Sequence, residues 1–217
     1  MQDRAVLAQH WPLFGLEVCT PRLELRYPTD ADLVALAERS DDIHDRGFQP
    51  FLVPWSLLPD GERERGLFQY HWNARGSWTP AAWRLELVVV VDGEIMGTQG
   101  LMGTDFAIRR TVESGSWLHR PQQGQGIGTE MREAVLHLAF AGLGAVRAET
   151  CAFVGNHASR RVSQKVGYRP DGTALLAVDG VSRGEERFVL ELADWEPRHR
   201  TDIEIIGLDP CRELLGA

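Results

Sequence analysis

Little cysteine, no excess of positive charge and no long apolar run: each lack removes a class of protein. The three cysteines, Cys19, Cys151 and Cys211, are odd in number and far apart, with no Cys-x-x-Cys pair. Such spacing supports neither a disulfide framework nor a zinc site, and no metal is expected. A formal net charge of -8 argues against a nucleic-acid partner, because phosphate contacts need a basic face. A small anionic ligand needs only local donors and stays open. No apolar stretch approaches the ~20 residues that span a bilayer. The segment from Met1 to Leu13 carries Asp3, Arg4 and His10 and lacks the apolar core of a signal peptide. No internal repeat or low-complexity tract occurs. The expected setting is reducing and cytoplasmic, with no membrane partner.

What is present is ordinary for a globular chain: 217 residues, 43% hydrophobic and 25% charged. That length predicts a single domain over 1–217, with a core of about 20–192 and an extension of about 193–217. Leu23, Leu25 and Tyr27 alternate with polar residues as in a half-buried strand, and Thr29 or Asp30 caps a helix carrying Leu33, Leu36 and Ala37. Between His44 and Ala82 the periodicity fades and aromatics accumulate, although Glu62 to Ala74 suits a helix. Arg84 to Val91 is β-branched, and Asp92-Gly93 turns it into Glu94 to Gly103. A loop over Thr104 to Arg110 leads to the strand Val112 to Leu118. The helix Thr129 to Gly142 puts Ile127, Met131, Val135 and Leu138 on one stripe, with Glu130, Arg132, Glu133 and His137 mostly off it. A strand Ala145 to Cys151, a helix Asn156 to Val166, a last hairpin and one further strand within Asp202 to Leu208 complete the pattern. Hairpins followed by alternating helices predict an α/β (α+β) protein with a mixed sheet of about six or seven strands and helices on both faces.

The most informative stretch is Gln123-Gly124-Gln125-Gly126-Ile127-Gly128, between a strand and an amphipathic helix. Glycines there let the backbone curl so that several amides converge, and the helix start adds unpaired donors and its positive dipole end. Such a nest suits a phosphate or pyrophosphate. Two families of site compete. The dinucleotide fingerprint wants a third glycine where Thr129 stands, although Glu149 is well placed for its ribose role. It also wants further βαβ units, which the chain lacks. A P-loop is excluded, since no Gly-Lys-Ser or Gly-Lys-Thr follows.

Gln123-x-x-Gly126-x-Gly128 resembles the acyl-coenzyme A signature of the GCN5-related N-acetyltransferase (GNAT) superfamily. Glu113-Ser-Gly-Ser-Trp117-Leu118, Gly126-Ile-Gly-Thr129-Glu130, Asn156-x-x-Ser159 and Lys165-Val-Gly167-Tyr168 extend the likeness to the branch that acetylates ribosomal-protein N-termini. Thr20-Pro-Arg-Leu-Glu-Leu-Arg26 is similar to that branch's first strand. The match covers about Thr20 to Leu192.

The resemblance implies a mostly antiparallel sheet splayed between its fourth and fifth strands, with the pantetheine arm of acetyl-CoA or another acyl-CoA in the splay. The pyrophosphate would rest on the amides of Gln123, Gly124, Gln125, Gly126, Ile127, Gly128 and Thr129. Acyl transfer then needs a base for the ammonium, a donor for the oxyanion and a proton for the thiolate. Glu113 is the candidate base, a backbone N–H near Trp117 or Leu118 the oxyanion donor, Asn156 a cofactor contact and Ser159 the acid. Asn156 and Ser159 read equally as an ordinary helix cap, and Glu113 as a solvent-facing strand residue. The family's usual tyrosine is replaced by Ser163, and Tyr168 is expected in the core. His71 and Trp72 are expected to line the acceptor side, while a homodimer interface explains the aromatics almost as well. Direct attack of the amine is expected, since no cysteine is placed for a covalent intermediate. The acceptor is a primary amine: a protein N-terminus, a lysine or a small molecule. The acyl group is acetyl by default, with succinyl or another open. A non-catalytic acyl-CoA sensor and an NAD-dependent oxidoreductase are the rival readings.

Overall fold

The Asp92-Gly93 turn joins the two longest central strands, and the rest of the molecule is organised around that hairpin. The computed structural model describes residues 4–217. Its strands are β1 (Glu17–Cys19), β2 (Leu23–Arg26), β3 (Ala82–Val91), β4 (Glu94–Thr104), β5 (Thr111–Leu118), β6 (Arg147–Phe153), β7 (Arg169–Val178), β8 (Val181–Glu191) and β9 (Glu204–Ile206). Its helices are α1 (Arg4–Ala8), α2 (Asp30–Glu38), α3 (Glu62–Gly76), α4 (Phe106–Arg109), α5 (Ile127–His137), α6 (His157–Val166), α7 (Leu192–Trp195) and α8 (Arg212–Leu215).

All nine strands form one sheet in the order β7-β8-β6-β5-β4-β3-β2-β1-β9. The expectation of six or seven strands fell short: β1, three residues long, is too short to show a period, while β9 falls within the strand expected over Asp202 to Leu208. They pair with one another, Val18 opposite Ile205. The expected loop after Thr104 contains the one-turn helix α4. Every pairing is antiparallel except β5 with β6.

Alternation along β3 sorts the two faces. Leu85, Leu87, Val89 and Val91 join the main core with Ile127, Met131, Val135 and Leu138 of the α5 region, whereas Val88 and Val90 pack with Leu33 and Leu36 of α2 and Leu67 of α3. Helices therefore cover both faces. Thr29 caps α2 with a reciprocal Asp32 bond, which satisfies two otherwise orphaned amides. Trp78 and Trp83 stack at 6.0 Å, and their indole N–H groups donate to Leu214 O and Leu215 O. Part of the aromatic segment is thus core, closed from below by the chain end. No helix among the described residues is long and apolar enough to cross a membrane.

Candidate active site

The sheet opens at its one parallel pairing. β5 and β6 are held by three rungs only, Thr111 to Arg147, Val112 to Ala148 and Glu113 to Glu149. Both strands continue beyond, but apart, which is the splay expected between the fourth and fifth strands counted from β2. One rung further, Thr150 Oγ1 donates to Ser114 O at 2.9 Å, so a side chain takes the place of a backbone bond. Since Ser114 O points toward β6, period two turns the backbone groups of Ser116 the same way, with no strand to pair them. An extended ligand carrying amides has an edge to bind there.

Beside the mouth of this gap lies the glycine curl. Gly124 and Gly126 have φ of +77° and +86°, values that a side chain disfavours. The amides of Gln123, Thr129 and Glu130 are already used, donating to Arg120 O, Gly126 O and Gly126 O. Those of Gly124, Gln125, Gly126, Ile127 and Gly128 find no acceptor among the described residues, so the nest is five amides wide and narrower than Gln123 to Thr129. The Gln123 side chain is structural, donating from Nε2 to Ile43 O at 2.7 Å and Leu118 O at 2.8 Å. A Cβ on Gly128 would lie 3.6 Å from Val162 Cγ2, an ordinary contact distance between α5 and α6.

Glu130 and Arg132, expected off the apolar stripe, are both buried. Glu130 accepts from Thr20 Oγ1 at 2.6 Å and Arg22 Nε at 2.7 Å. Burial opposes its ionisation, but Thr20, Arg22 and Arg200 outweigh it and hold the carboxyl below its ordinary range. Arg132 reaches under the gap. It donates to Gln99 Oε1 on β4 at 3.4 Å, Ser116 Oγ on β5 at 3.2 Å and Thr150 Oγ1 on β6 at 3.2 Å. Tyr168 packs in the core as expected and its hydroxyl meets Ser114 Oγ at 3.2 Å. This polar cluster was invisible in the sequence, because its members are scattered from Gln99 to Tyr168.

On the opposite face stand the acids. Glu113 is exposed at the last rung, yet its surroundings still exclude enough water to raise its pKa, and Glu149 and Glu185 add to the rise against Arg84. Glu86, on β3, was not foreseen. It is buried and accepts a hydrogen bond from Tyr70 OH. A Cβ on Gly100 would lie 2.8 Å from its Oε2, so only glycine lets this carboxylate cross β4. Gly100 faces Gly115 on β5, and above Gly115 the space is open. Burial raises the Glu86 pKa, with Tyr70 and Arg84 opposing.

His71 and Trp72 have partners other than these acids. His71 is buried, which together with Arg75 lowers its pKa to about 4, and Trp72 Nε1 donates to Asp30 Oδ1 at 3.2 Å. Their neighbour Tyr70 is the residue of that stretch that reaches the acids. The helical register decides this, and an unperiodic sequence hid it. The wall is aromatic: Phe51, Trp55 and Trp117 follow one another at 5.3 and 5.8 Å. The segment from Ile43 to Trp55 spans the gap, tied to Gln123 on one side and, through Gln49 O, to Arg183 of β8 on the other.

Asn156 caps α6, its Oδ1 accepting from Ser159 N at 3.1 Å. Ser163 donates to Ser159 O and is buried, whereas Ser159 Oγ makes no hydrogen bond among the described residues. Cys151 lies on β6 two residues past the last rung at Glu149. Its side chain is exposed, yet its surroundings exclude enough water to raise the thiol, and Glu185 and Glu113 add to the rise, up to about 12; a thiol held in that form is a poor nucleophile. No cluster of metal-ligating side chains occurs among the described residues.

An open, mostly antiparallel sheet with one short parallel pair lies beside a nest of free amides, an arrangement that suits a diphosphate ligand with an extended arm. The acetyltransferase (GNAT) domain model matches residues 22–169, and the chain belongs to that family. It is 31% identical over 114 residues to the putative ribosomal N-acetyltransferase YdaF of Bacillus subtilis strain 168, covering 52% of this chain and 62% of that protein. The match thus spans less than two thirds of that curated relative. Its fold is similar to that of a GCN5-related N-acetyltransferase from Brucella melitensis, at TM-score 0.67, 22% identity, 83% of this chain and 80% of that one. It is also similar to RimL, the ribosomal L7/L12 alpha-N-protein acetyltransferase in complex with coenzyme A, at TM-score 0.63, 19% identity, 79% of this chain and 95% of that one.

Proposed function

We propose that this protein transfers an acyl group from acyl-coenzyme A, acetyl by default, to a primary amine by direct attack. The observation that carries the reading is the three-rung pairing of β5 with β6, opening beside five unused amides. Those amides suit the pyrophosphate, and the free edge of β5 suits the pantetheine arm. RimL, as a fold neighbour, has been seen with coenzyme A, which supports the choice of ligand.

In this reading the ammonium gives a proton to Glu113, whose raised pKa suits it to the task. The resulting amine attacks the thioester carbonyl, and a backbone N–H near Trp117 or Leu118 receives the oxyanion. The carbon–sulfur bond then breaks, and Ser159 reprotonates the sulfur from the start of α6. The acids of the trough, Glu86, Glu113 and Glu185, favour a cationic acceptor. YdaF is named for a ribosomal substrate, which favours a protein α-amine here over lysine or a small amine.

Free thiol released from acetyl-coenzyme A is to be measured against peptides with free N-termini, lysine peptides and small amines. Amine-dependent release that falls roughly 100-fold in Glu113→Gln is expected. Stabilisation by NAD and not by coenzyme A in a thermal-shift comparison would refute the reading.

A further inference from the structure

We infer that Arg132 receives the negative charge of the departing coenzyme A thiolate at the root of the gap; this rests on the acyl-transfer reading above. Arg132 is only 3% exposed, and its guanidinium donates to the side chains of Gln99, Ser116 and Thr150. Each of these acceptors is neutral. Among the described residues no carboxylate pairs with it, and the two acids of its own helix are engaged elsewhere, Glu130 by Thr20 and Arg22 and Glu133 by Arg200. An arginine does not shed its proton in a protein, and a buried cation without an anion is costly. Structure alone would be served as well by a neutral side chain. Acyl transfer supplies the missing anion for the moment it is needed.

Position supports the assignment. Ser116 and Thr150 lie on opposite banks of the gap, just beyond the last rung at Glu113 and Glu149. One guanidinium bonded to both closes the inner end of the channel. An arm that enters from the nest and pairs along β5 therefore ends against it.

In the step itself, the tetrahedral intermediate collapses, the carbon–sulfur bond breaks and its electron pair stays on sulfur beside Arg132. The new amide keeps one hydrogen, and the protons lost by the ammonium pass to Glu113 and on to solvent. Ser159 then protonates the sulfur and is itself reprotonated from solvent. The net products are the amide, coenzyme A as thiol and one proton.

Of the other titratable groups near this place, Tyr168, which follows α6, meets Ser114 on the same face, whereas Cys151 on β6 and Glu113 on β5 alternate onto the opposite face. Burial raises the Tyr168 hydroxyl, and exclusion of water with Glu185 and Glu113 raises the Cys151 thiol, so both stay protonated through neutral pH. The Glu113 side chain projects from the opposite face of the sheet.

The test is titration calorimetry of coenzyme A and of desulfo-coenzyme A, which lacks the sulfur, from about pH 6 to about pH 9, spanning the ordinary thiol value of roughly 8.5. A cation at the sulfur lowers the bound thiol's pKa, so affinity for coenzyme A rises with pH while that for the desulfo compound does not. A gain of roughly tenfold in the ratio corresponds to a lowering by one unit. Arg132→Gln should bind desulfo-coenzyme A and lose the gain, and Arg132→Lys should keep part of it. A ratio that stays flat in the native protein, or a gain that survives in Arg132→Gln, overturns the inference. Failure of the native protein to bind either compound overturns the acyl-transfer reading as well.

Discussion

Burial raises the pKa of Glu86 against Tyr70 and Arg84, and that shift sets a pH signature for stability. The unfolded chain gives up this proton at a lower pH than the folded one. The contribution of Glu86 is therefore fully present below the ordinary carboxylate range and is lost as pH rises through its folded value. Glu86→Gln should be more stable than the native protein at neutral pH, and the difference in denaturation midpoint should shrink toward acid. An unchanged difference across that range would place the carboxylate in contact with water. Activity reports on the neighbouring acid. The acid limb of the kcat/KM profile should lie above the usual carboxylate range and vanish in Glu113→Gln, because the raised Glu113 must be ionised to accept a proton. Of these two acids only Glu113 was legible in the sequence, through its place before Trp117. Glu86 reads there as one polar residue in a β-branched run, and the collision that Gly100 avoids is a property of the paired strands.

At the scale of elements, the curl before α5 and the rungs between β5 and β6 can be perturbed separately. Gly126→Ala forces a side chain onto a φ of +86°, which costs roughly 1–2 kcal/mol, and brings its Cβ to 3.3 Å from Arg22 Nη2. Coenzyme A affinity measured by calorimetry should fall at least as far as stability does. Thr150→Val removes the bond to Ser114 O and one acceptor of Arg132. A loss of about 1–3 kcal/mol in urea denaturation is expected, since a buried carbonyl and a cation lose a partner. Glycine spacing announced the nest in the sequence, because left-handed backbone needs glycine. The width of five amides was not announced, since it depends on which donors the local turns consume.

Across the whole molecule, the chain end closes the sheet. Leu208, Cys211 and Leu215 are buried in the main core, and a Cβ on Gly207 would lie 2.0 Å from Gly15 O. Gly207→Ala should thus lower the melting temperature markedly by forcing β9 off β1. Gly180→Ala, with a φ of +75° and open space about it, should cost only the backbone strain. Equal effects would show that the β9 contact contributes nothing.

Periodicity, glycine placement and turn chemistry act between residues close along the chain. They determined the helices α2, α3, α5 and α6, the central hairpin, the Thr29 and Asn156 caps and the glycine curl. Where β5 and β6 part company, what bridges them and which acids gather above the gap depend on side chains brought together from distant segments. Burial and paired-strand geometry supply those forces, and neither exists until the sheet has formed.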